Sequence, residues 1–209
     1  MPSPFGHALA GVAVAWSADI ATRRQSPPRL VATCAALAAL PDVDLVVRRY
    51  HRTWSHSVTA VLVVTIVAAA VTGRVTHLRA ARFAGRARFR ASPFGAQDGG
   101  RARWRTALVC GGAYASHLLL DWLGVDTWPP YGLQILWPFS DRWFISGWDI
   151  FRQTARDRFF TAPVIRNNVL ALVQEAAILL PIVAVLWLVR EKTAARFPAE
   201  VAGGDHAPQ

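Results

Sequence analysis

The chain has 209 residues, a formal net charge of +10 and 53% hydrophobic residues, with a mean hydropathy of +0.26. That content is too apolar for an ordinary soluble domain or a disordered basic tail, and the class it favours is an all-α, multi-pass helical membrane protein. Cys34 and Cys110 both fall in apolar runs and read as small buried hydrophobes, which excludes a disulfide scaffold.

About five membrane-embedded helices are expected. The first, Phe5 to Ala21, lacks the basic residues that open a secretory signal and contains His7 and Asp19, so it reads as a retained helix. The second, Leu30 to Val47, is expected to be broken. Its apolar part ends at Leu40, too short to span alone, and runs into Pro41-Asp42; unwinding at depth is permitted where the backbone lines a polar cavity. Ser57 to Thr72 is uncharged, and Asn167 to Val189 is interrupted only by Gln174, Glu175 and Pro181. These third and fifth helices are the firmest spans, since roughly 1.5 Å per residue carries them across most of about 30 Å of hydrocarbon. Trp104 to Trp122 is the fourth.

Between the third and fourth helices, residues 73–105 hold nine arginines with Asp98 as the one acid. The stretch reads as a basic, partly disordered loop that contacts anionic lipid headgroups and offers a surface for a protein partner. Nucleic-acid binding is weighed and set aside, because no nucleic-acid fold signature accompanies the charge. Between the fourth and fifth helices, Trp128 to Phe139 is broken by prolines and rich in aromatics, a pattern for the headgroup interface. Asp141 to Arg166 reads as a polar amphipathic connection. Residues 1–197 form a single domain in this reading, and 198–209 a flexible tail.

Alternating helices bring the chemistry to one membrane face. His7 opens the first helix, Asp42 and Asp44 end the second, His51 and His56 precede the third, and His117 and Asp121 share a face at the end of the fourth. Such groups between apolar runs are costly unless they bind something. Imidazole nitrogens with carboxylate oxygens suit Zn²⁺ or Mn²⁺, and the absence of nearby cysteine argues against a thiolate zinc site. Seven candidate ligands are enough for two ions, the usual equipment of metal-assisted hydrolysis. Placing 15 of the 23 basic residues in the cytoplasm puts the site on the extracytoplasmic side.

Each piece also has a plainer use. Asp42 begins a turn after Pro41, Asp44 pairs with Arg48 or Arg49, His117 bonds a neighbouring helix, His7 sits in the interface, and Ser55 and Ser57 cap the third helix. Arg52 is a candidate to hold an anionic substrate oxygen, against simple headgroup contact. Glu175 is a candidate acid or base, against a neutral interior carboxyl. His77 and His206 read as solvated.

The ordered combination of Gly6-His7, Pro41-Asp42-x-Asp44, His51-Arg52 with Ser55-His56-Ser57, His117 with Asp121, and Gly132 to Phe139 resembles the YdjM-like family of bacterial inner-membrane proteins. The resemblance runs through about Phe139, and Trp54 and Ser55 stand where smaller residues and threonine are expected. It implies a metal-dependent hydrolase in the inner membrane; similarity to zinc-dependent phospholipase C proteins extends this by analogy to a phosphoester lipid. The competing expectations are a non-catalytic membrane protein stapled by metal that recruits a partner through its arginine-rich loop, and an ion or metal transporter, for which no clear inverted repeat is present.

Overall fold

The computed structural model describes residues 2–44, 51–84, 93–155 and 160–196. Among them the regular elements are helical: α1 (Pro4–Thr22), α2 (Pro28–Ala39), a short 3-10 turn at Trp54–His56, α3 (Val58–Ala84), α4 (Pro93–Leu123) and α5 (Ala162–Arg196). Two of these helices are long and apolar enough to cross a bilayer, over Val58–Leu78 and Ala162–Arg196, with mean hydropathies of 2.1 and 2.4. At 21 residues the α3 segment covers about 32 Å. Its Leu62, Val63, Ile66 and Val67 are exposed, as lipid-facing side chains would be.

Helix α1 is the hub, packed against α2, α4 and α5. Its start is set by Ser3, whose hydroxyl accepts from the Gly6 N–H at 3.2 Å, and by Pro4, which needs no N–H partner there. Its end is set by Arg23 in the left-handed conformation, its N–H returning to the Asp19 and Ile20 carbonyls. The face of α1 turned inward is made of small or polar residues: Gly6, His7, Ala10, Gly11, Ala15 and Asp19. A side chain at Gly11 would collide with the Cys34 carbonyl of α2, so the absent Cβ permits that close crossing.

Several boundaries differ from the sequence-based expectation. Helix α2 stops at Ala39, and residues 40–44 tighten into a 3-10 turn, so the expected break is present; residues 45–47 lie outside the described residues, as do Arg48 and Arg49. The arginine-rich stretch expected as a loop is helical on both flanks. Residues 73–84, with His77, complete α3 and 93–105 open α4, while 85–92 lie outside the described residues. For the first flank the physical reason is propensity: arginine and alanine make up half of residues 73–84 and are good helix formers even without an apolar stripe. The tail from 197 onward also lies outside the described residues.

Between α4 and α5 the chain is irregular. Two isolated bridges, Gly124 with Phe151 and Leu133 with Phe144, fold it back on itself. Gly132 has φ +92, and a Cβ there would strike the Phe144 carbonyl, so this turn requires glycine. The Gln134 N–H donates to the Arg52 carbonyl at 3.0 Å and the Val58 N–H to the Ile135 carbonyl at 2.9 Å, laying the aromatic segment over the start of α3. The connection after Asp141 is an extended strap along α5. Gln174 Nε2 donates to the Ile150 carbonyl at 3.1 Å and its Oε1 accepts from the Arg152 N–H at 3.0 Å, while Asn168 brackets Ala155 from both sides. These amides supply the partners a sheet would otherwise give the strap, which explains polar residues on an apolar helix.

Candidate metal centre

The start of α1, the turn after α2, the turn before α3 and the end of α4 meet at one end of the bundle. His7 Nε2 lies 3.3 Å from Asp121 Oδ1 and 4.0 Å from Asp42 Oδ2. His117 Nε2 and His56 Nε2 approach Asp121 Oδ2 to 3.2 and 3.4 Å, and the two imidazole nitrogens face each other at 3.0 Å. His7 and His117 are stacked with ring centroids 3.7 Å apart. On the outer side, Asp44 Oδ1 meets His51 Nδ1 at 2.6 Å and Oδ2 meets His56 Nδ1 at 3.2 Å. Three groupings hold ligand atoms within 4.8 Å of one another: His7, Asp42 and His117; His56, His117 and Asp121; and Asp44, His51 and His56. All seven expected ligands are therefore brought together.

The donor set fits a cation on grounds independent of ligand count. Both nitrogens of His7 and both oxygens of Asp121 are buried without a hydrogen-bond partner, a costly arrangement for polar atoms that a bound ion would relieve. His117 Nδ1 donates to the Ala38 carbonyl at 2.7 Å. That hydrogen bond places the proton on Nδ1 and leaves the Nε2 lone pair facing the cluster, as outer partners of metal-binding histidines do.

Electrostatics agree. Burial disfavours charge on Asp44, but hydrogen bonds from His51 and His56 and from the Ser55 hydroxyl outweigh it and hold the carboxyl well below its usual range. Burial likewise opposes charge on His56, yet the Asp121 and Asp44 carboxylates 3.4 and 3.2 Å away raise its pKa from 6.5 to about 9. In the metal-free protein this pairing stabilises the fold fully below pH 6.5 and is lost as pH rises through about 9. An entering cation must displace the His56 proton, so uptake should strengthen by about tenfold per pH unit from neutrality towards 9. Calorimetric titration in buffers of different ionisation enthalpy should register the proton release; uptake independent of pH would contradict it.

The remaining expected site residues are placed differently. Arg52, at φ +66, directs its guanidinium to Asp126, and its N–H donates to Asp44 Oδ2 at 3.3 Å. It thus ties the ligand turn to the loop whose Gly132 N–H also donates to Asp126, at 2.7 Å. Glu175 is buried on α5 and accepts from the Ser3 N–H at 2.7 Å and from the Ser3 hydroxyl; a Cβ on Gly6 would lie 2.7 Å from Glu175 Oε2. It anchors Ser3 at the start of α1, four residues before His7. Ser57 caps α3, accepting from the Ala60 N–H at 3.2 Å, whereas Ser55 gives its hydroxyl to Asp44. Two supporting groups went unforeseen. Tyr114 donates its hydroxyl to the Ser55 carbonyl at 2.7 Å, and its spacing of three and seven residues from His117 and Asp121 was a usable sign of a shared helical face. Asp126 accepts locally from the Trp128 and Gly132 N–H groups, but its pairing with Arg52 had no local signal, since the two lie 74 residues apart.

A family model described as YdjM inner membrane protein matches residues 1–195. The chain belongs to that family. Comparison with curated proteins and with solved structures returns no match. Membership of the YdjM family agrees with the two apolar helices and makes this a protein of an inner-membrane family with buried His/Asp groups able to hold a metal ion.

Proposed function

We propose that this YdjM-family protein is a membrane-embedded hydrolase that uses zinc or manganese, as one or two ions, on a phosphoester bond of a lipid-like substrate near the headgroup plane. The observation that carries the reading is the convergence of His7, Asp42, Asp44, His51, His56, His117 and Asp121 from four separate elements, with buried nitrogens and oxygens that make no hydrogen bond. Helices α1, α2 and α4 are read as embedded beside α3 and α5, to which α1 and α4 pack directly. An extracytoplasmic site is supported by the basic residues Arg105 and Arg190 at the far end of the bundle, on Asp19.

When bound, a divalent cation supplies Lewis-acid chemistry to a phosphoryl or carbonyl oxygen. The chain does the rest. Asp44 orients His51 and His56, the Ala38 carbonyl sets the tautomer of His117, and burial of His7, His56, His117 and Asp121 keeps bulk water from the inner groups. Asp44 and His51 lie on the more open side, where a substrate would arrive.

Detergent-purified protein should contain at least one zinc or manganese per chain by elemental analysis and hydrolyse members of a phospholipid and phosphoester panel. Asp44→Ala and His117→Ala should lose both metal and turnover, and full metal content in both variants would reject the assignment. The complete burial of the inner ligands favours a second reading, an ion that staples helix ends without catalysis; stoichiometric metal with no turnover across the panel would select it.

A further inference from the structure

An open cavity of about 540 Å³ with mixed polar and apolar walls lies between the end of α4, the extended strap and the first turns of α5, bordered by Val125, Trp128, Asp149, Arg152, Asn167 and Gln174. It sits at the same end of the bundle as the metal centre but apart from it. Between them stands Phe151, buried against Ala10, Leu120 and Leu179.

Most hydrogen-bonding capacity in the cavity wall is already used. Gln174 holds the strap backbone at both ends of its amide, Asn167 Nδ2 donates to the Gln153 carbonyl at 3.0 Å, and Gln153 Oε1 accepts from the N–H and hydroxyl of Thr127. The walls are therefore held in place, and three groups are left to meet a ligand: the Arg152 guanidinium, the Asp149 carboxylate and the Trp128 indole. None of the three side chains makes an ion pair or hydrogen bond among the described residues. Trp128 is 64% exposed, and Leu170 is exposed on the α5 surface beside Asn167.

One guanidinium, one carboxylate and one open aromatic face complement a headgroup that carries an anion and a primary ammonium together. A phosphate pairs with the planar fork of arginine; an ammonium pairs with a carboxylate and the face of an indole. The apolar surface of α5 leads from this cavity into a membrane span, and exposed Trp148, Phe139 and Phe160 nearby in the chain suit the headgroup level. We propose that this cavity binds the headgroup of an aminophospholipid, with the phosphate on Arg152, the ammonium between Asp149 and Trp128, and the acyl chains along α5. The assignment needs the membrane but not the hydrolase.

The test uses the full chain purified in detergent with a chelator present, so that metal content and turnover do not enter. Native mass spectrometry would follow binding of dihexanoyl phosphatidylethanolamine, dihexanoyl phosphatidylglycerol and free phosphorylethanolamine. The ethanolamine lipid should bind about fivefold more tightly than the glycerol lipid, the scale of one exposed charge pair. Asp149→Asn should erase that preference while leaving the glycerol lipid bound, and Arg152→Gln should weaken both lipids. Equal binding of the two lipids to the unsubstituted protein, or a preference that survives Asp149→Asn, would overturn the proposal. Free phosphorylethanolamine binding as tightly as the lipid would overturn the acyl-chain placement on α5 and with it the lipid assignment.

Discussion

Asp121→Asn should strip the protein of metal with little change in side-chain volume. The carboxylate is wholly buried and stands within 3.4 Å of a nitrogen from each of His7, His56 and His117. No other carboxylate in the cluster approaches three imidazoles from three elements among the described contacts. An amide removes the negative charge that balances a cation and turns N–H donors towards imidazole nitrogens meant to bind it, so both charge and ligand geometry are lost together. Substituting an outer partner of a metal ligand costs roughly ten- to a hundredfold in affinity; removing a ligand that touches this many others should cost about a hundredfold or more. Elemental analysis should find background metal in the variant, and turnover should fall with it. A variant that purifies with the metal content of the unsubstituted protein would place the cation elsewhere.

Asp19→Ala should do the reverse, weakening the fold and sparing the metal. Asp19 is buried at the other end of α1 and accepts from the Ser26 N–H at 2.9 and 3.0 Å, the Ser26 hydroxyl at 2.6 Å, Arg105 Nη2 at 2.8 Å and Arg190 Nε at 2.8 Å. One carboxylate thus joins α1 to α4 and α5 and closes the turn into α2. Its loss leaves two guanidinium groups and a backbone N–H without their shared acceptor. Breaking a fully buried ion pair costs about 3–5 kcal/mol, and since Arg105 and Arg190 keep 20% and 15% of their side-chain surface exposed, about 2–3 kcal/mol is expected here. Twelve residues of helix separate Asp19 from His7, about 18 Å, so metal stoichiometry should not change. Unfolding in detergent, followed beside metal content, checks both halves; loss of metal without loss of stability would contradict the assignment of Asp19 as a staple.

How legible each element was follows from how local its cause is. The apolar runs that became α3 and α5 are long, with Glu175 the one ionisable residue in the second, and the bilayer length they match is a property of composition alone. The break after α2 was also visible, because Pro41 cannot donate to a helical hydrogen bond and the residue before it is pushed out of helical conformation. The arginine-rich flanks misled for the same local reason turned around. Charge without apolar periodicity reads as loop, while the helices α3 and α4 pack against each other and carry their backbone onward through residues that merely permit it.

The His and Asp motifs, with their spacing and the alternation of helix ends, were enough to nominate all seven members of the centre, because ligand chemistry and helical period are written in residue types. What those side chains do next depends on groups far away in the chain. Arg52 faces Asp126, 74 residues later, Glu175 faces Ser3, 172 residues earlier, and the tautomer of His117 is set by a carbonyl on α2. Such pairings are decided by packing, since any buried charge or N–H takes the partner that the fold brings within reach. Composition and period therefore named the candidate ligands and the two longest apolar helices, and only the tertiary fold separated the groups that cluster where a cation could sit from those that hold the scaffold around them.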